Sequence, residues 1–126
     1  MPCITYNLPS RTATNLTADT LIRLSQIDNI VGVREASGKF GQLAEIVQGT
    51  REDFFTCGGS DRDTLPVLVL DGHGLIKVAS RLVGIQMKGM IEKCFDGKFQ
   101  EATRIHRYLL PLIDALFIIS DPVPVK

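Results

Sequence analysis

Alternation of two hydrophobic periods limits what this chain can become. Four short apolar or β-branched runs, Cys3-Thr5, Ile30-Val33, Phe54-Cys57 and Leu75-Val78, are separated by stretches in which apolar residues recur at helical spacing. Leu21, Leu24 and Ile27 form the first such stretch, Phe40, Leu43 and Ile46 or Val47 the second, and the block Leu65 to Leu70 the third. A strand-helix-strand unit every ~20 to 30 residues is the signature of a parallel sheet, because parallel neighbours need a long crossover. The boundary residues agree: Thr17 precedes a helix opening at Ala18, and Gly38 and Gly58-Gly59 follow strand ends. After the fourth run the spacing is helical. Leu82, Ile85 and Met90 predict one helix, Phe99, Ala102, Ile105 and Leu109 a second, and Leu112, Ala115 and Leu116 a third that Pro122 and Pro124 end.

Four βα units make an odd total. A closed (β/α)8 barrel takes about 250 residues and a doubly wound sheet normally five or six strands, whereas this chain has 126 residues. The expected class is therefore α/β, with four βα units in residues 1–80, a helical segment in 81–126, and the aspect of half of something larger. The 14 basic and 14 acidic side chains cancel, and no basic patch is present, so the electrostatic basis for a nucleic-acid or anionic-membrane partner is missing. The longest apolar stretch, Tyr108 to Ile119, is broken by Pro111 and Asp114 and falls short of the roughly 20 residues that span a bilayer. Met1-Pro2-Cys3-Ile4-Thr5 lacks a signal-peptide pattern, and a cytoplasmic location is expected. Cys3, Cys57 and Cys94 read as reduced, buried thiols, and His73 and His106 have no partners at metal-ligand spacing.

Three segments carry chemistry. Tyr6-Asn7-Leu8-Pro9-Ser10-Arg11-Thr12 leaves the first strand at its C-terminal end, where parallel α/β proteins place their sites; taken alone, Tyr6 reads as a packing aromatic. Val31-Gly32-Val33-Arg34-Glu35-Ala36-Ser37-Gly38 closes the second strand, and Gly72-His73-Gly74-Leu75-Ile76-Lys77-Val78 forms the fourth. In this order and spacing they resemble the dihydrodipicolinate synthase (4-hydroxy-tetrahydrodipicolinate synthase) family of pyruvate-dependent class I aldolases and lyases. The resemblance continues through Ala102 to Leu112 and the closing Pro122-Val123-Pro124-Val125-Lys126, and covers essentially the whole chain. It implies strands five to eight of a TIM (β/α)8 barrel followed by C-terminal helices. Pyruvate and aspartate semialdehyde are the implied substrates, with no cofactor and no metal. By position, Tyr6 matches a proton-relaying tyrosine, Arg11 a carboxylate-binding arginine, Gly59 a glycine close to the keto acid, and Ile76 a residue whose carbonyl lines the site.

Arg34 departs from that pattern, since the family condenses a lysine at this position with pyruvate. An imine needs a free amine to attack the carbonyl, and a guanidinium, whose lone pairs are delocalised, offers none. Arg34 is left to grip a carboxylate or to pair with Glu35 or another acid. Lys39 and Lys77 are the candidate replacements, and strand alternation sets Lys77 on the face opposite Ile76.

Two readings stand. One is a truncated lyase that works only with a complementary half; the other is a non-catalytic paralogue that binds a keto acid or a full-length homologue. In either case the outer strands would be open edges and the inner face would lack a wall, which favours a homo-oligomer or a complementing half-barrel chain.

Overall fold

A computed structural model describes residues 1–118. The chain divides into two compact units, Met1–Ile76 and a second that begins at Lys77. The first contains β1 (Cys3–Asn7), α1 (Pro9–Thr12), α2 (Ala18–Leu24), β2 (Ile30–Glu35), α3 (Phe40–Gly49), β3 (Phe55–Gly58), α4 (Thr64–Val69) and β4 (Gly74–Leu75). The second contains α5 (Ser80–Phe95) and α6 (Phe99–Leu116).

The four strands lie in the order β1-β2-β3-β4, and every adjacent pair is parallel. A sheet whose spatial order follows chain order has no switch point, the order found in a barrel wall and not in a doubly wound sheet. Its helices gather on one face. Ala18 and Leu21 of α2, Val33 of β2, Ile46 of α3 and Phe54 form the buried cluster, with Leu16, Leu24 and Ile30 against it. Val67 of α4 extends this layer to β3, where a Cβ on Gly58 would come within 3.0 Å of it. The opposite face is open: Ile4, Tyr6, Phe55 and Ile76 are all exposed large side chains.

Local chemistry explains most boundaries. The Thr17 hydroxyl accepts the Thr20 amide at 3.3 Å and caps α2. Gly38, with φ of 73°, makes the left-handed turn between β2 and α3. The short α1 was not foreseen: Pro9 opens it and Ala13, at φ 55°, ends it after one turn.

Three expectations need correction. The fourth strand stops at Leu75 instead of running to Val78, so Lys77 lies outside the sheet and the alternation argument does not reach it. In α5 the buried residues are Met87, Met90 and Cys94, while Leu82 and Ile85 are exposed. Ile85 stands about 160° around the helix from Met87, and the non-helical backbone at Val83 breaks the phase before it. Finally, the two helices expected over residues 99–116 are one. Ala102, Leu109, Ile113 and Leu116 form a single buried stripe that passes Pro111, which is exposed. Continuous burial on one face outweighs the roughly 3 kcal/mol that an interior proline costs. Pro122 and Pro124 lie outside the described residues.

Truncating Ile46, which is fully buried in the helix-side cluster, is expected to lower the unfolding free energy by about 2–5 kcal/mol in urea titrations. Truncation of the exposed Ile85 is expected to change it by less than about 0.5 kcal/mol.

Candidate active site

Register determines which side chains meet. Tyr6 pairs with Arg34, Arg34 with Cys57 and Cys57 with Gly74, so these four residues form one row across the sheet. Ile4, Gly32 and Phe55 form the row below it. Both rows belong to the open face. Asn7, Glu35, Gly58 and Leu75 form the next row, and strand alternation turns it toward the helices.

At the centre of the open face the Arg34 guanidinium lies over the Tyr6 ring, 4.1 Å from its centroid. A cation held against an aromatic face gains about 0.5–1 kcal/mol where exposed and more where water is excluded. Arg34 Nη2 approaches the Gly59 carbonyl at 3.5 Å, the outer limit of a hydrogen bond. Its Nε is buried and has no acceptor. A buried donor left unpaired costs about 1–3 kcal/mol. No ion pair involving Arg34 occurs among the described residues.

Gly59 reaches this position because it lacks a side chain. Its amide donates to the Glu35 carbonyl at 2.8 Å, and a Cβ there would stand 2.4 Å from that of Ala36. The loop after β3 can therefore lie against the end of β2 and present its carbonyl to Arg34. Ile76 follows β4, donates its amide to the Gly58 carbonyl at 3.0 Å, and is exposed. Tyr6, Arg34 and Gly59 thus come together. Arg11 does not join them: it is exposed on α1 with no hydrogen bond or ion pair to any of the three. Lys39 is exposed at the start of α3, its amide accepted by the Ser37 hydroxyl at 3.2 Å.

Glu35 is not the partner of Arg34. One residue further along the strand, it faces the helices, and its side chain is 6% exposed. The Asn7 side-chain amide donates to Glu35 Oε1 at 3.2 Å and Oε2 at 2.9 Å, and the Ser37 amide donates to Oε1 at 2.7 Å. Gln42 Nε2 reaches Oε2 at 3.3 Å and the Leu16 carbonyl at 3.0 Å. Asn7 Oδ1 accepts the Leu16 amide at 3.0 Å, and Asn15 accepts from Asn7 and exchanges hydrogen bonds with Gln42. This buried network ties the loops after β1 and β2 together directly behind Tyr6 and Arg34. Sequence reasoning missed it. The available signal was parity: Asn7 and Glu35 each follow a site residue by one position, at a strand end where helix-side residues are normally apolar.

The cysteines differ from expectation too. All three are free thiols, but only Cys94 is buried, Cys57 is half-buried on the open face, and Cys3 is exposed because β1 begins at an edge. Burial pushes the Cys57 and Cys94 thiols up from their ordinary range, which keeps them protonated and unreactive. Among the described residues no group of histidine, cysteine and carboxylate side chains gathers at metal-binding distance, and no helix is long and apolar enough to cross a membrane.

Two outcomes are expected. Asn7→Ala strips the buried Glu35 carboxylate of its principal donor and should cost about 1.5–3 kcal/mol by urea unfolding, whereas Tyr6→Phe should be nearly neutral. Maleimide at pH 7.5 followed by peptide mapping should label Cys3 at least about tenfold faster than Cys57 or Cys94.

Comparison with known proteins agrees with this architecture. The model of the dihydrodipicolinate synthetase family matches residues 1–126. The 4-hydroxy-tetrahydrodipicolinate synthase of Dehalococcoides mccartyi is 52% identical over 126 residues, which are all of this chain and 42% of that protein. The synthase of Heliobacterium modesticaldum is 46% identical with the same coverage. Among solved structures, dihydrodipicolinate synthase from Cyanidioschyzon merolae with lysine bound matches with a TM-score of 0.96 at 42% identity, over 100% of this chain and 43% of that one. The Aquifex aeolicus enzyme gives 0.95 at 38% identity, again over 100% of this chain and 43% of that one. The chain thus spans about 42% of the length of these curated relatives, whose fold is the TIM barrel. With the matched parallel sheet and the family model extending over all 126 residues, the chain belongs to the dihydrodipicolinate synthetase family.

Proposed function

We propose that the chain is strands five to eight of a lyase barrel, with the helices from residue 81 onward corresponding to the last barrel helix and the C-terminal region, and that by itself it does not turn over. The lineage reaction condenses pyruvate with aspartate semialdehyde, on the way to diaminopimelate and lysine. In this reading Tyr6 keeps the position of the proton relay, Gly59 and Ile76 line the keto-acid site, and Arg11 serves the carboxylate of the second substrate from its exposed place on α1. Arg34 occupies the position of the imine-forming lysine. The single observation that carries the reading is the placement of Arg34 on the open face, against the Tyr6 ring and the Gly59 carbonyl.

The chemistry separates the two side chains sharply. A lysine amine adds to the keto carbon of pyruvate, the adduct loses water, and the nitrogen of the resulting protonated imine takes up the electron pair when the adjacent methyl carbon loses a proton to give the enamine nucleophile. Guanidinium has no nitrogen lone pair free to add. The site therefore retains binding groups and lacks the nucleophile. Closing the barrel calls for a wall over Ile4, Tyr6, Phe55 and Ile76 and for strands beside the two edges, β1 and β4. A second copy or a complementary half-barrel chain supplies that wall, in a cytoplasmic setting.

Borohydride reduction in the presence of pyruvate, read by intact mass, tests the proposal. No covalent increment is expected for the native chain. An increment mapped to Lys39 or Lys77 would overturn the inactive reading and identify a relocated nucleophile. Arg34→Lys is expected to become trappable once strands one to four are supplied as a separate polypeptide.

A further inference from the structure

Arg34 is the sole charged residue in the two open-face rows: its neighbours there are Ile4, Tyr6, Gly32, Phe55, Cys57 and Gly74. The nearest acid along the chain, Glu35, is turned to the opposite face and engaged by Asn7, Ser37 and Gln42. The guanidinium therefore carries a full positive charge with one face on Tyr6, a marginal contact from Nη2 to the Gly59 carbonyl, and a sealed Nε without an acceptor. Nη1 makes no hydrogen bond among the described residues. A planar fork with unused donors matches the two oxygens of a carboxylate, which it binds bidentately. The ring beneath fixes the plane of the fork, so a carboxylate arrives edge-on.

Deepening the proposed function, and resting on its assignment of a keto-acid site to this face, we infer that Arg34 converts the site from one that reads a carbonyl to one that reads a carboxylate. The ligand class is short monocarboxylates, held without a covalent bond and regardless of whether carbon 2 bears an oxo or a hydroxyl group. One cation with apolar neighbours suits a monoanion with a short carbon tail. A phosphate dianion is disfavoured because no second cation stands in either row.

The test is a titration of the full chain, isotopically labelled, followed by amide shifts and by the Arg34 Nη–H resonances. Pyruvate, lactate, acetate and inorganic phosphate are the probes. Expected are millimolar dissociation constants for pyruvate and lactate within about threefold of each other, phosphate at least about tenfold weaker, and a downfield move of the Arg34 Nη–H signals as the carboxylate engages them. Arg34→Gln, checked for retained fold by its spectrum, should weaken both acids by at least about tenfold. Arg34→Met serves if the glutamine variant unfolds. Pyruvate binding without lactate binding, undiminished affinity in these variants, or tighter binding of phosphate each overturns the inference. Lactate has no keto group and forms no imine, so its titration reads Arg34 even if borohydride trapping refutes the inactive reading.

Discussion

Parallel pairing of β1 with β2 holds the site together, in the register that sets Tyr6 opposite Arg34 and Asn7 opposite Glu35. Side-chain direction alternates along a strand, so a slip of one residue in either strand exchanges the faces. Such a slip would drive the Arg34 charge into the helix-side cluster and carry Glu35 out to the open face. The native register is selected from both sides. On one, Val33 fills the cluster with Leu21 and Ile46. On the other, the guanidinium finds the Tyr6 ring. Between them, the two oxygens of Glu35 accept from Asn7 only when the strand ends are level.

The same alternation keeps two adjacent opposite charges apart. Arg34 and Glu35 are neighbours in the chain, and an ion pair between them would have neutralised the open face. Instead Glu35 is satisfied by amides: a side-chain amide from Asn7, one from Gln42 and the backbone of Ser37. Neutral donors solvate the buried carboxylate and contribute no cation to the site. They also hold the loops after β1 and β2, the loops from which a parallel sheet builds its chemistry. The network is thus both a register lock and the rear wall of the site.

The sequence revealed the order of elements because each βα unit repeats one hydrophobic period and then another. Parallel pairing and helix-side burial follow directly from that repetition. The resemblance singles out Tyr6, Arg34 and Gly59, and the structure brings these three side by side. What was not legible depended on contacts between distant segments. The 27-residue separation of Asn15 and Gln42 carries no local signal. Nor does any feature at Pro111 announce that a buried stripe from Ala102 to Leu116 will carry one helix past it. The length of β4 is not legible because Ile76, Lys77 and Val78 continue its β-rich composition after the pairing with β3 has ended. Glu35 is one of the acids open to Arg34 by proximity along the chain, and strand parity turns it to the other face.

Covering the open face and filling the Arg34 site are coupled physically. Ile4, Tyr6 and Phe55 are 51%, 43% and 52% exposed, and burying them against any wall is favourable at about 25 cal/mol per Å2 of apolar surface. The wall also removes water from beside the guanidinium, and the cost of an unpaired charge rises as the local dielectric falls. An anion bound at Arg34 offsets that cost. A ligand that binds the covered state better than the open one shifts the balance toward covering, and covering strengthens the ligand by the same factor. A lysine at such a position would meet the difficulty differently, since a buried ammonium can shed its proton and become neutral. Arginine remains charged at every pH the protein meets. With Arg34 in place, any wall that covers the open face also buries a cation, and a counter-ion would favour that covering.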